Sequence, residues 1–404
     1  MTTQPGDTTP AQPAAPSTGR IIALLSLAAF ASTAGFRVCD AFLPQLADEF
    51  DITTGTAALA ITVFAIAYGL LQFFFGPAGD RYGKVRVLTY ATLACAIGSA
   101  GAALSPTFEV LLVCRFLSGA TGAGIIPMSM AWIGDNVPYE ERQTTLARFL
   151  FGLISGVAAG QVIGGVFADL LSWRWAFAFL AAWFLCTGLL LRRMGAAADA
   201  MAPGGGKPKG FLGSMQAVVA IPWARLVLII VFLEGALVFG AFAFVPSYLQ
   251  LRFGLSPSGA GLLAGVYALG GLGYVLVSRR LVSTLGEAGM AGCGGIVLSL
   301  AFLTYCLGNV WMWALLAGFI CGFGYYLLHS TLQTHATQMA PAYRGTAVSL
   351  FAALLFVGQS AGVAAGALVV DKWGAPWLFA ISVVLCPLLG LAFVAGLKRR
   401  AQPA

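Results

Sequence analysis

The chain has 404 residues, of which 59% are hydrophobic and only 37 are charged, 22 basic and 15 acidic. Soluble domains carry about 25% charged residues and about 45–50% apolar ones, so a soluble globular protein, a disordered chain and a nucleic-acid binder with a basic groove are excluded. The net charge of +7 lies in short loops between apolar stretches, where it reports membrane orientation and not a polyanionic partner.

Residues 1–19, rich in Pro, Thr and Ala, read as a disordered cytoplasmic tail. Apolar runs of about 20 residues then recur to the end, each able to cross a hydrocarbon core about 30 Å thick. Twelve spans are expected, at 21–46, 56–79, 86–105, 108–134, 143–169, 174–192, 224–250, 258–278, 288–307, 310–337, 344–370 and 375–397. The first is no secretory signal, because it lacks a basic lead beyond Arg20 and runs through Asp40 to Pro44. The expected units are a six-helix half over 20–193, a cytoplasmic linker over 194–223, a second six-helix half over 224–398 and a tail over 399–404. The linker holds the flexible run Gly204–Gly210 and a weak pattern for an interfacial helix over 211–222. With the N-terminus inside, 17 of the 22 Lys and Arg fall in inside loops and ends, which places both termini in the cytoplasm. The eight cysteines lie within spans, form no C-x-x-C pair and read as small packing residues.

The two halves repeat at an offset near 202. Gly156, Gly160 and Gly164 in span 5 reappear as Gly358, Gly362 and Gly366 in span 11. Asp169 and Trp175 correspond to Asp371 and Trp377, Arg142 to Arg344, and Phe42-Leu43-Pro44 to Phe244-Val245-Pro246. Small residues four apart let helices approach closely, so the glycine rows are packing faces.

Three motifs carry a family resemblance. The loop between spans 2 and 3, Gly76 to Arg86 with Asp80, Arg81, Gly83 and Lys84, resembles the signature loop of the major facilitator superfamily. Span 4 holds Arg115 four residues before Gly119, similar to that family's R-x-x-x-G motif. Span 5 resembles its antiporter motif, with Gln161 in place of the usual Pro. The chain is identified as a member of this superfamily, most similar to the twelve-helix drug:proton antiporter and sugar-efflux branch. The resemblance implies an all-α membrane fold of two pseudo-symmetric six-helix halves, with substrate near the midplane between them. It also implies a cytoplasmic gate of Gly76, Asp80, Arg81, Gly83 and Lys84, joined by Asp135 at the end of span 4, and a role for Arg115 in proton coupling. The second-half copy of the loop has Ser283 where Asp80 stands.

Charges inside spans are costly and mark function. Arg37 and Asp40 lie one helical turn apart in span 1 and can pair. With Arg115 they are expected to form one cluster, whose alternative role is a static tie between spans 1 and 4. Glu234, near the middle of span 7, has no basic neighbour in sequence and is expected to carry a proton or meet a cationic substrate. In span 10, Tyr326, His329 and Gln333 are expected to line the cavity, the alternative for His329 being a neutral packing role. Tyr68, Phe239, Phe242 and Tyr267 are candidates for an aromatic wall. Two isolated histidines make a poor metal site, and no metal or cofactor is expected. Nothing supports catalysis, since there is no nucleotide loop and no nucleophile–base pair. The expected activity is proton-coupled export of small amphipathic or lipophilic compounds by a monomer in the bacterial inner membrane, with protons and a small-molecule substrate as partners. The alternative is an importer or facilitator of a small organic solute. A sensor or scaffold is disfavoured because no soluble domain is present to report a signal.

Overall fold

The computed structural model describes residues 18–199 and 211–401. The expected N-terminal tail up to residue 17 and the glycine-rich part of the linker lie outside the described residues.

The first half contains α1 (Thr18–Phe50), α2 (Thr54–Tyr82), α3 (Lys84–Ala103), α4 (Phe108–Asn136), α5 (Glu140–Leu170) and α6 (Trp173–Met194). A short helix, Phe211–Ala220, precedes the second half. That half opens with α7 (Pro222–Phe253). The next helical stretch, Pro257–Leu307, is 51 residues long, too long for one crossing, and is broken at Gly286 with φ 62° and ψ 179°. Its two arms are α8 (257–285) and α9 (287–307). The remaining spans are α10 (Trp313–Gln338), α11 (Pro341–Trp373) and α12 (Ala375–Arg400). The twelve apolar crossings expected from sequence are therefore present, two of them joined through a single glycine. Gly83, between α2 and α3, has φ 94° and stands 203 residues before Gly286. Both tight reversals need a backbone conformation that a side chain disfavours.

Winding defects repeat as well. In α1, a 3-10 turn over Val38–Phe42 precedes Leu43–Phe50, which carries Pro44 in its first turn. In α7, a π turn over Gly235–Phe239 and a short break precede Val245–Phe253, which carries Pro246 in its first turn. Each proline lacks the N–H that would continue the helix through it. The unwound stretches are buried between helices, where neighbours can satisfy the freed backbone.

The glycine rows set the packing within each half. A Cβ at Gly156, Gly160 or Gly164 would run into the α1 backbone at Phe30, Ala34 or Val38. One at Gly358 or Gly362 would meet the α7 backbone at Phe232 or Ala236, and one at Gly366 the rings and methyls of Phe244 and Leu378. Leu276, Leu388, Phe74 and Phe151 point outward with many other large apolar residues, as a lipid-facing surface requires.

Twelve crossings put the first and last described residues, Thr18 and Ala401, at one end of the bundle, the terminal end. The halves join at the opposite end. Gln45 Nε2 donates to Gln250 Oε1 at 2.9 Å, and Gln250 Nε2 to Ala41 O at 2.8 Å. Asp371, at the end of α11, accepts from Thr53 Oγ1 at 2.7 Å and from Gly55 N at 2.9 Å, capping α2 across the interface. Asp169, its repeat counterpart in α5, lies against Ser256 and Ser258 at the start of α8. Nearer the middle, Ser360 Oγ donates to Thr62 O at 3.0 Å.

Candidate functional site

Among the described residues, two acid–base pairs are buried in the apolar interior, Arg37–Asp40 in the first half and Glu234–His329 in the second. In the first, Arg37 Nη1 lies 3.1 Å from Asp40 Oδ2, with side-chain exposures of 1% and 0%. The 3-10 turn of α1 places the two residues at i and i+3, one above the other. Gln161 Nε2, from α5, donates to the same Asp40 oxygen at 2.8 Å. The Arg37 guanidinium reaches into the second half, 4.9 Å from the ring centre of Phe239 and 5.2 Å from that of Phe242. Aromatic faces of α7 thus bound the positive end of the pair.

Arg115 does not join this pair. Its Nε donates to Ala60 O at 3.1 Å and its Nη1 to Gly35 O at 2.9 Å. Its guanidinium lies 4.2 Å from the centre of Phe64. Of the three charges expected to cluster, Arg37 and Asp40 pair, while Arg115, still within electrostatic reach of Asp40, bonds instead to the backbones of α1 and α2. The division arises because Gly35 and Ala60 present their carbonyls within reach of the guanidinium.

In the second half, Glu234 Oε2 lies 2.7 Å from His329 Nδ1. Glu234 is fully buried, and its Oε1 has no hydrogen-bond partner among the described residues. It occupies the last α-helical position before the π turn of α7. Such turns re-aim side chains and are frequent at functional sites. The His329 ring stacks on Tyr325 at 4.7 Å and 18°, and lies 5.4 Å from Phe351 of α11. Gln359 of α11 has an unpartnered Nε2 and places its backbone N against Gly235. Glu234, which lacked a basic neighbour in sequence, therefore has one in space, 95 positions away.

The aromatic candidates form two groups. Tyr68 and Phe64 of α2 pack with Phe36 of α1 and with Phe356 of α11, Tyr68 to Phe356 at 4.5 Å. Phe239, Phe242 and Tyr267 pack together, and Phe239 meets Tyr325 at 4.9 Å. Tyr326 meets Tyr325 edge-on at 5.2 Å and stacks on Tyr274 at 6.2 Å. Gln333 is exposed, one helical turn beyond His329 towards the terminal end. Phe36, Phe356, Tyr325 and Gln359 complete the two linings. The signal for Gln161 was visible as an amide at a position where the family motif has Pro. Phe36 and Phe356 look in sequence like any other lipid-facing aromatic.

At the terminal end, Lys84 pairs with Asp135. Asp80 is exposed and makes no ion pair among the described residues, and Arg81 lies over the Tyr82 ring. Gly76 has open space around it. In the second half, His335 Nε2 lies 3.1 Å from Glu287 Oε2. This pair occupies the equivalent place with the acid and base exchanged. Both ion pairs stay within their own half.

No group of three or more metal-ligating side chains occurs among the described residues. A relative in Bacillus subtilis, the uncharacterized MFS-type transporter YceJ, is 24% identical over 79% of this chain and 81% of its own length. The multidrug export protein EmrB of Haemophilus influenzae is 26% identical over a shorter region, 38% of this chain and 30% of that protein. Among solved structures, a bacterial homolog of the human lysosomal transporter Spinster, in an inward-facing conformation, superposes with a TM-score of 0.72 at 18% identity over 95% of this chain and 94% of that one. A POT family transporter bound to a thioalcohol-conjugated peptide gives 0.78 at 15% identity over 95% and 97%. The sequence profile of the Major Facilitator Superfamily matches residues 25–362 and 290–404, and the chain belongs to that superfamily.

Proposed function

We propose that this transporter is a proton-coupled exporter of small amphipathic or lipophilic compounds, working by alternating access as a monomer in the bacterial inner membrane. The observation that carries the reading is the Glu234–His329 contact, buried between aromatic rings at the π turn of α7. With one proton the pair is neutral overall, and without it the pair carries a net negative charge in an apolar interior. A proton and an amphipathic substrate then compete to settle that charge, which is the coupling an antiporter needs. Asp40, bonded to Gln161 and paired with Arg37, is a second place for a proton, and its protonation would release Arg37 towards the α7 aromatics. Arg115 holds α1, α2 and α4 in register around it.

In this reading the terminal end is cytoplasmic, as the basic loops imply. The contacts joining the halves at the opposite end then seal the outside, so the conformation opens inward. Lys84–Asp135 would belong to the inner gate, with Asp80 and Arg81 engaging when that gate closes. The partial match to EmrB supports export.

One observation favours an importer or facilitator instead. Gln161 replaces the antiporter-motif Pro and its amide satisfies Asp40, leaving that carboxylate a structural role. Proton flux in proteoliposomes of known sidedness separates the readings. Addition of a lipophilic compound to the cytoplasmic face should drive protons inward as the compound leaves. Co-directional movement of proton and solute, or flux without protons, would establish the second reading.

A further inference from the structure

A groove runs down the outside of the first half, between α2, α3 and α4. Its volume is about 410 Å³, within the range of about 300–1,000 Å³ typical of clefts that hold small molecules. Small side chains leave the space. Ala91 and Ala94 of α3 and Thr121 of α4 line it, and Phe75 of α2 is seated against Gly124, where a Cβ would strike its ring. From Arg86, near the start of α3, to Ala94 is eight residues of helix, about 12 Å. One leaflet of a hydrocarbon core about 30 Å thick contributes about 15 Å, so the groove is nearly as long as a leaflet is deep.

Its chemistry changes along that length. The deep part is apolar. Near the α2–α3 turn stand Tyr82 and, one helical turn further in, Tyr90, exposed at 54% and 62%. Exposed tyrosines of this kind mark the headgroup level of a bilayer. Residues 80–86 carry Arg81, Lys84 and Arg86 against one acid, Asp80. Asp135 takes up Lys84, and Arg81 lies over the Tyr82 ring. Arg86 is exposed at the mouth of the groove. The second half has no basic residue at this place. Counted from its own hinge glycine, Gly289 stands where Arg86 does.

We propose that this groove is a binding site for an anionic phospholipid of the leaflet at the terminal end. One acyl chain lies along Ala91, Ala94 and Thr121, and the headgroup phosphate meets Arg86. Depth, apolar lining and a basic mouth between exposed tyrosines match the three parts of such a lipid in order. A zwitterionic lipid fits the same groove but brings its own cation to the Arg86 mouth, so it gains less from the charge there. The bound lipid bridges α2, α3 and α4 beside the Gly83 reversal and the Lys84–Asp135 pair, outside the bundle and apart from the Glu234–His329 site. The inference holds for either direction of transport.

The test uses full-length protein in detergent micelles with phosphatidylglycerol that carries a diazirine in one acyl chain. After irradiation, labelled peptides are mapped by mass spectrometry. The label should concentrate on α3 around Tyr90 and Ala94 and on α4 around Thr121. Unlabelled phosphatidylglycerol should displace it at about fivefold lower concentration than phosphatidylcholine with the same chains, the effect of one basic residue at a membrane surface. Arg86→Gln should remove that preference. Ala94→Phe, which fills the groove, should abolish labelling there and leave it unchanged elsewhere. Label spread evenly over lipid-facing residues such as Leu276 and Leu388, or equal displacement by the two lipids, would show ordinary bilayer contact and overturn the proposal. A preference undiminished in Arg86→Gln would place the headgroup elsewhere and overturn it equally. So would a dimer whose formation shields the groove from label, which would make a second copy of the chain the occupant. If Ala94→Phe does not fold, the label map and Arg86→Gln carry the test.

Discussion

Glu234 has two oxygens, and only one of them has a partner. The other faces a buried surround with nothing to answer it, which is the arrangement a mobile proton can exploit. Glu234→Gln keeps the shape and a hydrogen bond to His329 but cannot exchange a proton. Proton-driven flux should therefore fall about 10–100-fold, the value of a charge-assisted hydrogen bond, while substrate binding survives. Retained pH-gradient-driven uptake in everted vesicles of the variant would assign Glu234 a packing role. Asp40→Ala has a different signature. It leaves Arg37 charged and unpaired in a 1%-exposed position, which costs about 3–5 kcal/mol, so the protein should melt early or fail to accumulate. Asp40→Asn should fold and reveal any coupling role, read as altered proton stoichiometry.

Local pairings were legible in the sequence and distant ones were not. Arg37 and Asp40 could be matched because three residues of helix separate them. Glu234 and His329 could not, because nothing in a span's own sequence says which neighbour its buried face meets. Arg115 shows the same limit. Its cost was visible, but backbone carbonyls as its acceptors depend on how closely α1 and α2 approach, a tertiary fact.

Among the elements, α5 and α11 are closely packed members whose glycines bring the α1 and α7 backbones into contact over about two helical turns. Gly160→Val and Gly362→Val should each cost about 1–3 kcal/mol by forcing backbone apart, seen as a lower melting temperature. Gly134→Ala, with open space around its Cα, should cost nothing measurable, and serves as the control. The rows were fully readable as a periodicity of four. What could not be read was which neighbours the last glycine of each row meets: both face the equivalent rings of Phe42 and Phe244, but Gly164 also meets the Val38 backbone where Gly366 meets the Leu378 methyls. The two halves keep the repeat in part of this contact and depart from it in the rest.

The whole molecule is held in one of its states by contacts between the halves. Gln45 and Gln250 bond across the interface at 2.9 Å, so the pair Q45C/Q250C should crosslink under mild oxidation and stop transport until a reductant is added. Crosslinking with transport intact would mean that this end need not open. Asp371→Ala removes the α2 cap and should destabilise the closed arrangement by about 1 kcal/mol, shifting the population about fivefold towards the open one. Thiol labelling of a cysteine at Thr54 would report that shift. The sealing contacts are mostly hydrogen bonds between neutral groups or to one carboxylate, at the water-facing end of the bundle. When the halves part, water takes the place of each lost partner, and the net free energy of such an exchange is only about 0.5–1.5 kcal/mol per bond. The seal is therefore strong in geometry and weak in thermodynamic depth. On the proposed alternating-access reading, the transporter is poised near balance between its two faces, where a single proton or a single solute molecule is enough to tip it.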